Sequence, residues 1–276
     1  MSVPTPPRDP APRGSIIYEH GPLRMKRCRY GAMLYAATAP YIGRSFDLYG
    51  EYSEAEAVVF KRLAAPGMCV LDAGANIGAH TLVFAQAVGP AGMVIAAEPQ
   101  RVAVQILNAN LALNGIVNTR VLACALGDEI GTIQIPAPDP SRPALGTVSV
   151  GQGVERVRIV TIDSLRLPRC DFIKVDVEGF ECQVLRGARE TVGRTRPLLY
   201  VENDRVARSG ELLRLLAELG YACHPHAPPL FNPANFFGNP DNVFGGTVSH
   251  NLLCVPRERA GVNLAGFGAA VEPGAG

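Results

Sequence analysis

Two rhythms of apolar residues alternate along this chain. Residues 54–64 carry Ala55, Val58, Val59 and Leu63 at helical spacing, with Ser53 in the capping position and Pro66-Gly67 as a stop. A short apolar run at 68–71 predicts a strand, 79–88 a helix, 93–97 a strand, and 102–113 a helix closed by Asn114-Gly115. Residues 119–125 read as a third strand. Between 131 and 162 the rhythm changes, because "GTIQIP" and "VRIVTI" alternate apolar with polar as the strands of an exposed hairpin do. It resumes with a strand at 172–175, a helix over 180–191, the strand "LLYVE" at 198–202 and a helix across 209–219. Two last apolar runs, 221–223 and 251–255, have no helical pattern between them and predict a closing antiparallel hairpin. The alternation predicts an α/β fold: a mostly parallel, seven-stranded, Rossmann-like sheet with helices on both faces.

The flanks have a different composition. Residues 1–14 hold five prolines and almost no large apolar side chain, so they cannot offset the entropy of ordering and should form a flexible arm. Residues 15–50 make an N-terminal extension, 51–256 the main domain, and the Gly- and Ala-rich 257–276 a loose tail. A hydrophobic share of 47% in 276 residues supports a sizeable core. The formal net charge of +1 leaves no electrostatic footprint for nucleic acid or an anionic membrane. No apolar run approaches the roughly 18 residues that span a bilayer. The N-terminus also lacks a basic segment followed by an apolar one, so a soluble, cytoplasmic chain is expected. The seven cysteines stand singly, without CxxC pairs, which predicts reduced, buried thiols.

Chemistry concentrates in "VLDAGANIG", 70–78, where a buried strand ends in Asp72 and a loop of Gly74, Ala75 and Gly78 follows. Such a loop lets backbone approach a ligand, although a tight turn would ask for the same glycines. The glycines do not make the G-x-G-x-x-G of dinucleotide sites, and Ile77-Gly78-Ala79 lacks the Lys-Ser/Thr ending of a phosphate loop. Asp72 would repel phosphate but accept from an amine, which suits the methionine end of S-adenosylmethionine. At the end of the second strand, "VIAAEP" places Glu98 where a carboxylate can accept from both hydroxyls of a ribose.

The run "VLDAGANIGAHTLVFA", followed by "EP", "ALGDEIGTI" and "FIKVDVEGFECQVLRGA", resembles the FkbM family of S-adenosylmethionine-dependent methyltransferases, over about residues 52–203. The resemblance implies the class I methyltransferase fold and, for most characterised members, O-methylation. It further implies that Asp72, Gly74, Asn76 and Gly78 hold the methionine moiety, Glu98 the ribose, and the turn at Ala125-Leu126 the adenine. Ala75, Pro99 and Asp176 join these as candidate cofactor contacts. Ser53 and Glu56 are further candidates for the methionine group, and a helix cap with a first-turn acid explains the same letters.

Methyl transfer to a hydroxyl needs an aligned acceptor that loses its proton, either to a base or with help from a divalent cation. The ends of the fourth and fifth strands carry "KVDVEG" and "YVENDR". Their acids and amide are oxygen ligands suited to Mg2+ or Mn2+. The arrangement is similar to the metal site of catechol and caffeoyl-CoA O-methyltransferases, and that likeness implies Asp176, Glu202 and Asn203 as ligands. Helix caps and turns account for the same residues. Without a metal, Glu178, His224 and His250 are the candidate bases beside Asp176. His80 is expected to pack or to touch the cofactor's edge.

The segment "PPLFNPANFFGNPDNVFGG", 228–246, is too rich in Pro and Gly for a regular element. It is expected to act as a lid within residues 226–250, with Asn232, Asn235, Phe236 and Phe237 contacting the acceptor. A surface loop pinned by its own aromatics is the other account. The expected acceptor is a small-molecule or glycan hydroxyl, with no nucleic acid and no membrane as partner. A monomer and a homodimer both remain open. The leading expectation is a metal-assisted O-methyltransferase; the alternatives are a metal-independent one with Glu178 or a histidine as base, an N-methyltransferase on RNA or protein, and a non-catalytic nucleoside-binding module.

Overall fold

The computed structural model describes residues 12–137 and 154–271. The expected arm up to residue 11, part of the hairpin insertion (138–153) and the end of the tail (272–276) lie outside the described residues.

The chain begins with β1 (Ile16–His20), β2 (Leu23–Cys28) and β3 (Gly31–Ala36), an antiparallel sheet, followed by α1 (Ile42–Tyr49). The apolar pattern predicted no elements in this extension. Its buried side includes Cys28, Met33 and Tyr35.

Next come α2 (Glu54–Leu63), β4 (Cys69–Ala73), α3 (Ala79–Val88), β5 (Met93–Ala97), α4 (Arg101–Leu113) and β6 (Thr119–Leu122). The edge of β3 is satisfied by α4 in an unusual way. Asn110 accepts from Leu34 N–H at 2.7 Å and donates to the Leu34 carbonyl at 3.0 Å. One helical turn on, Asn114 repeats the pattern with Ala32 at 2.8 and 2.7 Å. Two side-chain amides thus replace a neighbouring strand and tie the extension to the main domain.

After β6 the expected third strand ends early. β7 (Ala125–Leu126) leaves the main sheet and pairs with β9 (Glu155–Val160), which pairs antiparallel with β8 (Gly131–Ile135). The chain continues through β10 (Phe172–Val175), α5 (Glu181–Arg186), α6 (Arg189–Thr195), β11 (Leu198–Glu202), α7 (Val206–Glu218), β12 (Tyr221–His226) and β13 (Asn251–Pro256). The single helix expected over 180–191 is two. The Asp163 carboxylate accepts from the N–H groups of Glu190 and Thr191 at 3.0 and 2.8 Å, starting α6 afresh.

The main sheet has seven strands in the order β12-β13-β11-β10-β4-β5-β6. Every described pairing in it is parallel except those of β13, which runs antiparallel to both neighbours. This is the Rossmann-like α/β arrangement with an antiparallel C-terminal hairpin that the resemblance implied. Because side chains alternate, one face presents Val70, Val94, Phe172 and Leu253 to Phe60 of α2 and Phe84 of α3. The other face buries Leu71, Ile95, Ile173 and Leu199 under α5, α6 and α7. Each such side chain contributes about 1.5–3 kcal/mol on burial.

The tail expected after residue 256 is docked as far as it is described. Val262, Leu264 and Phe267 pack against the core beneath α2, and Val271 bridges to Cys223. All seven cysteines are free thiols, six of them buried. Among the described residues, no helix is long and apolar enough to cross a membrane.

Candidate active site

Strand order reverses between β4 and β10: the chain runs outward through β5 and β6 on one side and through β11 on the other. Carboxyl ends of strands diverge there, and a cavity of about 220 Å³ opens. Asp72, Lys174 and Tyr200 are register partners across β4, β10 and β11, so their side chains share the face that α2 covers.

Asp72 is fully buried. Its Oδ2 accepts from the Thr81 hydroxyl at 2.7 Å. Its Oδ1 has no hydrogen-bond partner, and the nearest cation is Lys174 Nζ at 3.4 Å. The loop beyond it, Gly74, Ala75 and Asn76, lines the cavity. The glycines also meet a steric demand of the fold itself. A Cβ on Gly74 (φ +80°) would lie 1.8 Å from the Asp176 carbonyl oxygen, and one on Gly78 (φ +88°) would lie 2.5 Å from Leu107 Cδ1. They make room for the protein's own backbone and α4 packing. Gly78 does not line the cavity.

Glu98 is buried, and its two oxygens accept from the backbone N–H groups of Asn76 and Gln100, each at 2.9 Å. These bonds fix the carboxyl plane, and each oxygen keeps a lone pair for the cavity. Burial pushes its pKa up to about 7, against the pull of the two N–H groups. Pro99, Cys124, Ala125 and Leu126 form the apolar wall beside it.

Glu56 on α2 also faces the cavity, and Asn251 donates to it at 3.1 Å. Burial raises Glu56 to about 7, partly offset by the Ser53 hydroxyl. Ser53 itself is not in the cavity and does not cap α2. It sits in the left-handed region (φ 43°), and its hydroxyl turns to the Glu56 carboxylate instead of to backbone. His80 lines the cavity, with Nε2 buried and unpartnered. Burial, then the charge of Lys174, holds its pKa well below the usual histidine value, so the ring is neutral.

Asp176 and Glu178 stand at the mouth with side chains 40% and 32% exposed. Lys174 Nζ lies 3.1 Å from Asp176 Oδ2, and Arg205 donates to Glu178 at 2.9 Å. Glu202 also lines the cavity, and its Oε2 is buried without a partner. Burial, then the charges of Asp176, Asp204 and Glu178, pushes it up to about 10.

Of the expected metal set, Asp176 and Glu202 line the cavity and Asn203 does not. Asn203 lies in an adjoining depression, and its N–H donates to the His250 carbonyl at 2.7 Å. The Lys174 ammonium already lies against Asp176. Among the described residues, no cluster of three or more His, Cys, Asp or Glu side chains is arranged to hold a metal ion.

The two expected histidine bases are also elsewhere. His224 turns its Nδ1 to the Gly268 carbonyl at 3.1 Å, and His250 is exposed; neither lines the cavity. Nor do Asn232, Asn235, Phe236 or Phe237. Their loop clasps the N-terminal extension. Asn232 donates to Glu51 at 2.7 Å, Phe236 N–H to the same carboxylate at 2.8 Å, and Phe237 packs against Gly50. Asn235 is buried and closes a turn with Asn232 and Asn239. Only Ser249, at the loop's far end, reaches the cavity.

Lys174 escaped the sequence reading. The signal was a lone lysine in the apolar strand "FIKV", on the alternation that faces α2.

An acid-lined cavity at the switch point of this sheet is the candidate active site. Residues 72–223, more than half of the chain, match the methyltransferase FkbM domain, and the chain belongs to that family. Methyltransferase sdnD from Sordaria araneosa is 30% identical over 160 residues, covering 44% of this chain and 60% of the relative. The chain therefore spans less than two thirds of that relative's length. Among solved structures, a methyltransferase FkbM from Methylobacillus flagellatus KT aligns with 72% of this chain and 50% of its own at 19% identity and a TM-score of 0.46. Trm5b from Pyrococcus abyssi aligns with 86% of this chain and 56% of its own at 12% identity and a TM-score of 0.48. The methyltransferase fold implies S-adenosylmethionine as the donor.

Proposed function

We propose that this methyltransferase transfers the methyl group of S-adenosylmethionine to a hydroxyl of a small molecule or glycan, using a carboxylate base and no divalent metal. The observation that carries this reading is the cavity's charge. Among the described residues, Asp72, Glu56, Glu98, Asp176, Glu178 and the protonated Glu202 line it, against Lys174 as the single Lys or Arg. Such a wall attracts an ammonium and a sulfonium and repels a pyrophosphate. The residues fit the donor's other parts too. Asp72 Oδ1, short of a hydrogen-bond donor, and Glu56 would hold the methionine ammonium. Glu98, with its plane fixed, would take the ribose hydroxyls, and Pro99, Ala125 and Leu126 the adenine.

When bound, the donor supplies an electrophilic methyl carbon on a positively charged sulfur. The chain's part is to orient the acceptor and remove its proton. Asp176 is the partly exposed carboxylate at the mouth, held by Lys174, and is the proposed base; Glu178, held by Arg205, is the second. Glu202, protonated at neutral pH, can donate a hydrogen bond to the acceptor.

Two measurements test this reading. S-adenosylhomocysteine should raise the melting temperature whereas NAD should not, and the opposite pattern removes the donor assignment. Once an acceptor is found by screening hydroxylated compounds, turnover should stay within about twofold in EDTA. Loss of turnover in EDTA with recovery in Mg2+ or Mn2+ would return the metal-assisted mechanism.

A further inference from the structure

Lys174 is a lysine in the middle of a parallel strand, with its residue 3% exposed, beneath a cavity walled by acids. Its Nζ is 3.1 Å from Asp176 Oδ2, 3.4 Å from Asp72 Oδ1 and 3.5 Å from the Gly74 carbonyl. It therefore joins the base at the mouth, the acid at the bottom and the loop between them. Burial alone would drive off its proton, but Asp176 and Asp72 more than offset that and its pKa is raised, so the ammonium stays charged.

The chemistry gives that charge a task beyond holding side chains in place. In methyl transfer to a hydroxyl, the carbon–sulfur bond breaks as the carbon–oxygen bond forms. The sulfonium becomes a neutral thioether, and the acceptor's proton passes to a carboxylate. A wall of carboxylates alone would bind the sulfonium donor far better than the thioether product, which lacks that one positive charge, and the charge would be lost against that attraction. Strong ground-state binding of this kind slows the chemical step.

We propose that Lys174 is a positioning residue that balances this charge: shared between Asp72 and Asp176, its ammonium offsets the acids' pull on a sulfonium and so sets the affinity of donor relative to product. The proposal rests on the donor assignment above, and the test separates the two. Isothermal titration at pH 7.5 gives dissociation constants for S-adenosylmethionine and S-adenosylhomocysteine with wild type, Lys174→Met, Lys174→Arg and Asp176→Asn.

Removing the charge in Lys174→Met should shift the affinity ratio toward S-adenosylmethionine by about tenfold. Lys174→Arg, which keeps it, should hold the ratio within about twofold. Asp176→Asn removes a negative charge and should shift the ratio toward S-adenosylhomocysteine, so the proposal can still be tested if Lys174→Met does not fold. A lysine that only holds the loop would weaken both ligands equally in Lys174→Met. That result, or an unchanged ratio in Asp176→Asn, overturns the proposal. Wild-type protein that binds neither ligand overturns the donor assignment itself.

Discussion

At the end of β4, Asp72 is fully buried and yet keeps one carboxylate oxygen without a hydrogen bond. In the loop 228–246, Asn235 is almost as buried, and its side chain donates to two carbonyls at 3.1 and 2.7 Å and accepts from Asn239 N–H at 3.0 Å. Both stretches are dense in residues able to do chemistry. One holds polar groups in readiness around a cavity; the other satisfies its own and serves as a clasp. An unsatisfied buried polar atom costs on the order of 1–3 kcal/mol. A fold that retains several around one cavity gains something from a ligand there, so the difference between the two regions is what locates function.

The contrast should be sharpest for donor affinity. Asp72→Asn should weaken S-adenosylhomocysteine binding about 100-fold by titration calorimetry, through loss of a charge-assisted contact to the donor's ammonium. Equal affinity in the variant would move the ammonium site elsewhere. The clasp should respond in the opposite sense. Glu51 is 3% exposed and takes Arg29 Nε at 2.6 Å as well as the two loop donors, so Glu51→Gln should lower the unfolding free energy by about 2 kcal/mol and leave donor affinity within twofold. Asn235→Ala should do the same at about 1–2 kcal/mol in denaturant melts. A large loss of affinity in either variant would make the loop part of the site.

The cavity acids add a pH signature. Glu56 and Glu98 have folded pKa values of about 7, above the ordinary 4.5, so the folded state holds these protons more tightly than the unfolded one. Their contribution to stability is complete below about 4.5 and is lost as pH rises toward 7. Between pH 5 and 7.5 the unliganded melting temperature should therefore fall more steeply in wild type than in Glu56→Gln. Donor affinity should rise over the same window as the carboxyls ionise; parallel melting curves for the two proteins would contradict the burial of Glu56. The smallest effect is expected from His224→Ala and His250→Ala, each leaving turnover within about twofold.

The same comparison explains what was legible beforehand. The cavity's loop could be read because its chemistry is contiguous: Asp72, Gly74 and Asn76 sit within one turn, and Glu98 falls at the end of the next strand. Residues that meet only through sheet register could not. Lys174 lies opposite Asp72 because β10 pairs with β4, and no local pattern reports that pairing. Asn232 and Asn235 misled for a related reason, since Asn232 pairs with the distant Glu51 and Asn235 turns inward to carbonyls of its own loop. That extension did leave a signal: Gly21 lies in the turn between β1 and β2, and Gly31 opens β3 directly after the next turn. Sequence proximity to the closing hairpin likewise could not show that His224 faces Gly268 and away from the cavity.

The most direct measurement is a crystal structure with S-adenosylhomocysteine. The account predicts the nucleoside in the cavity between β4, β5 and β10, with ribose hydroxyls within hydrogen-bond distance of Glu98 and the amino group near Asp72. A nucleoside bound elsewhere, or a cavity that stays empty at saturating ligand, would contradict it.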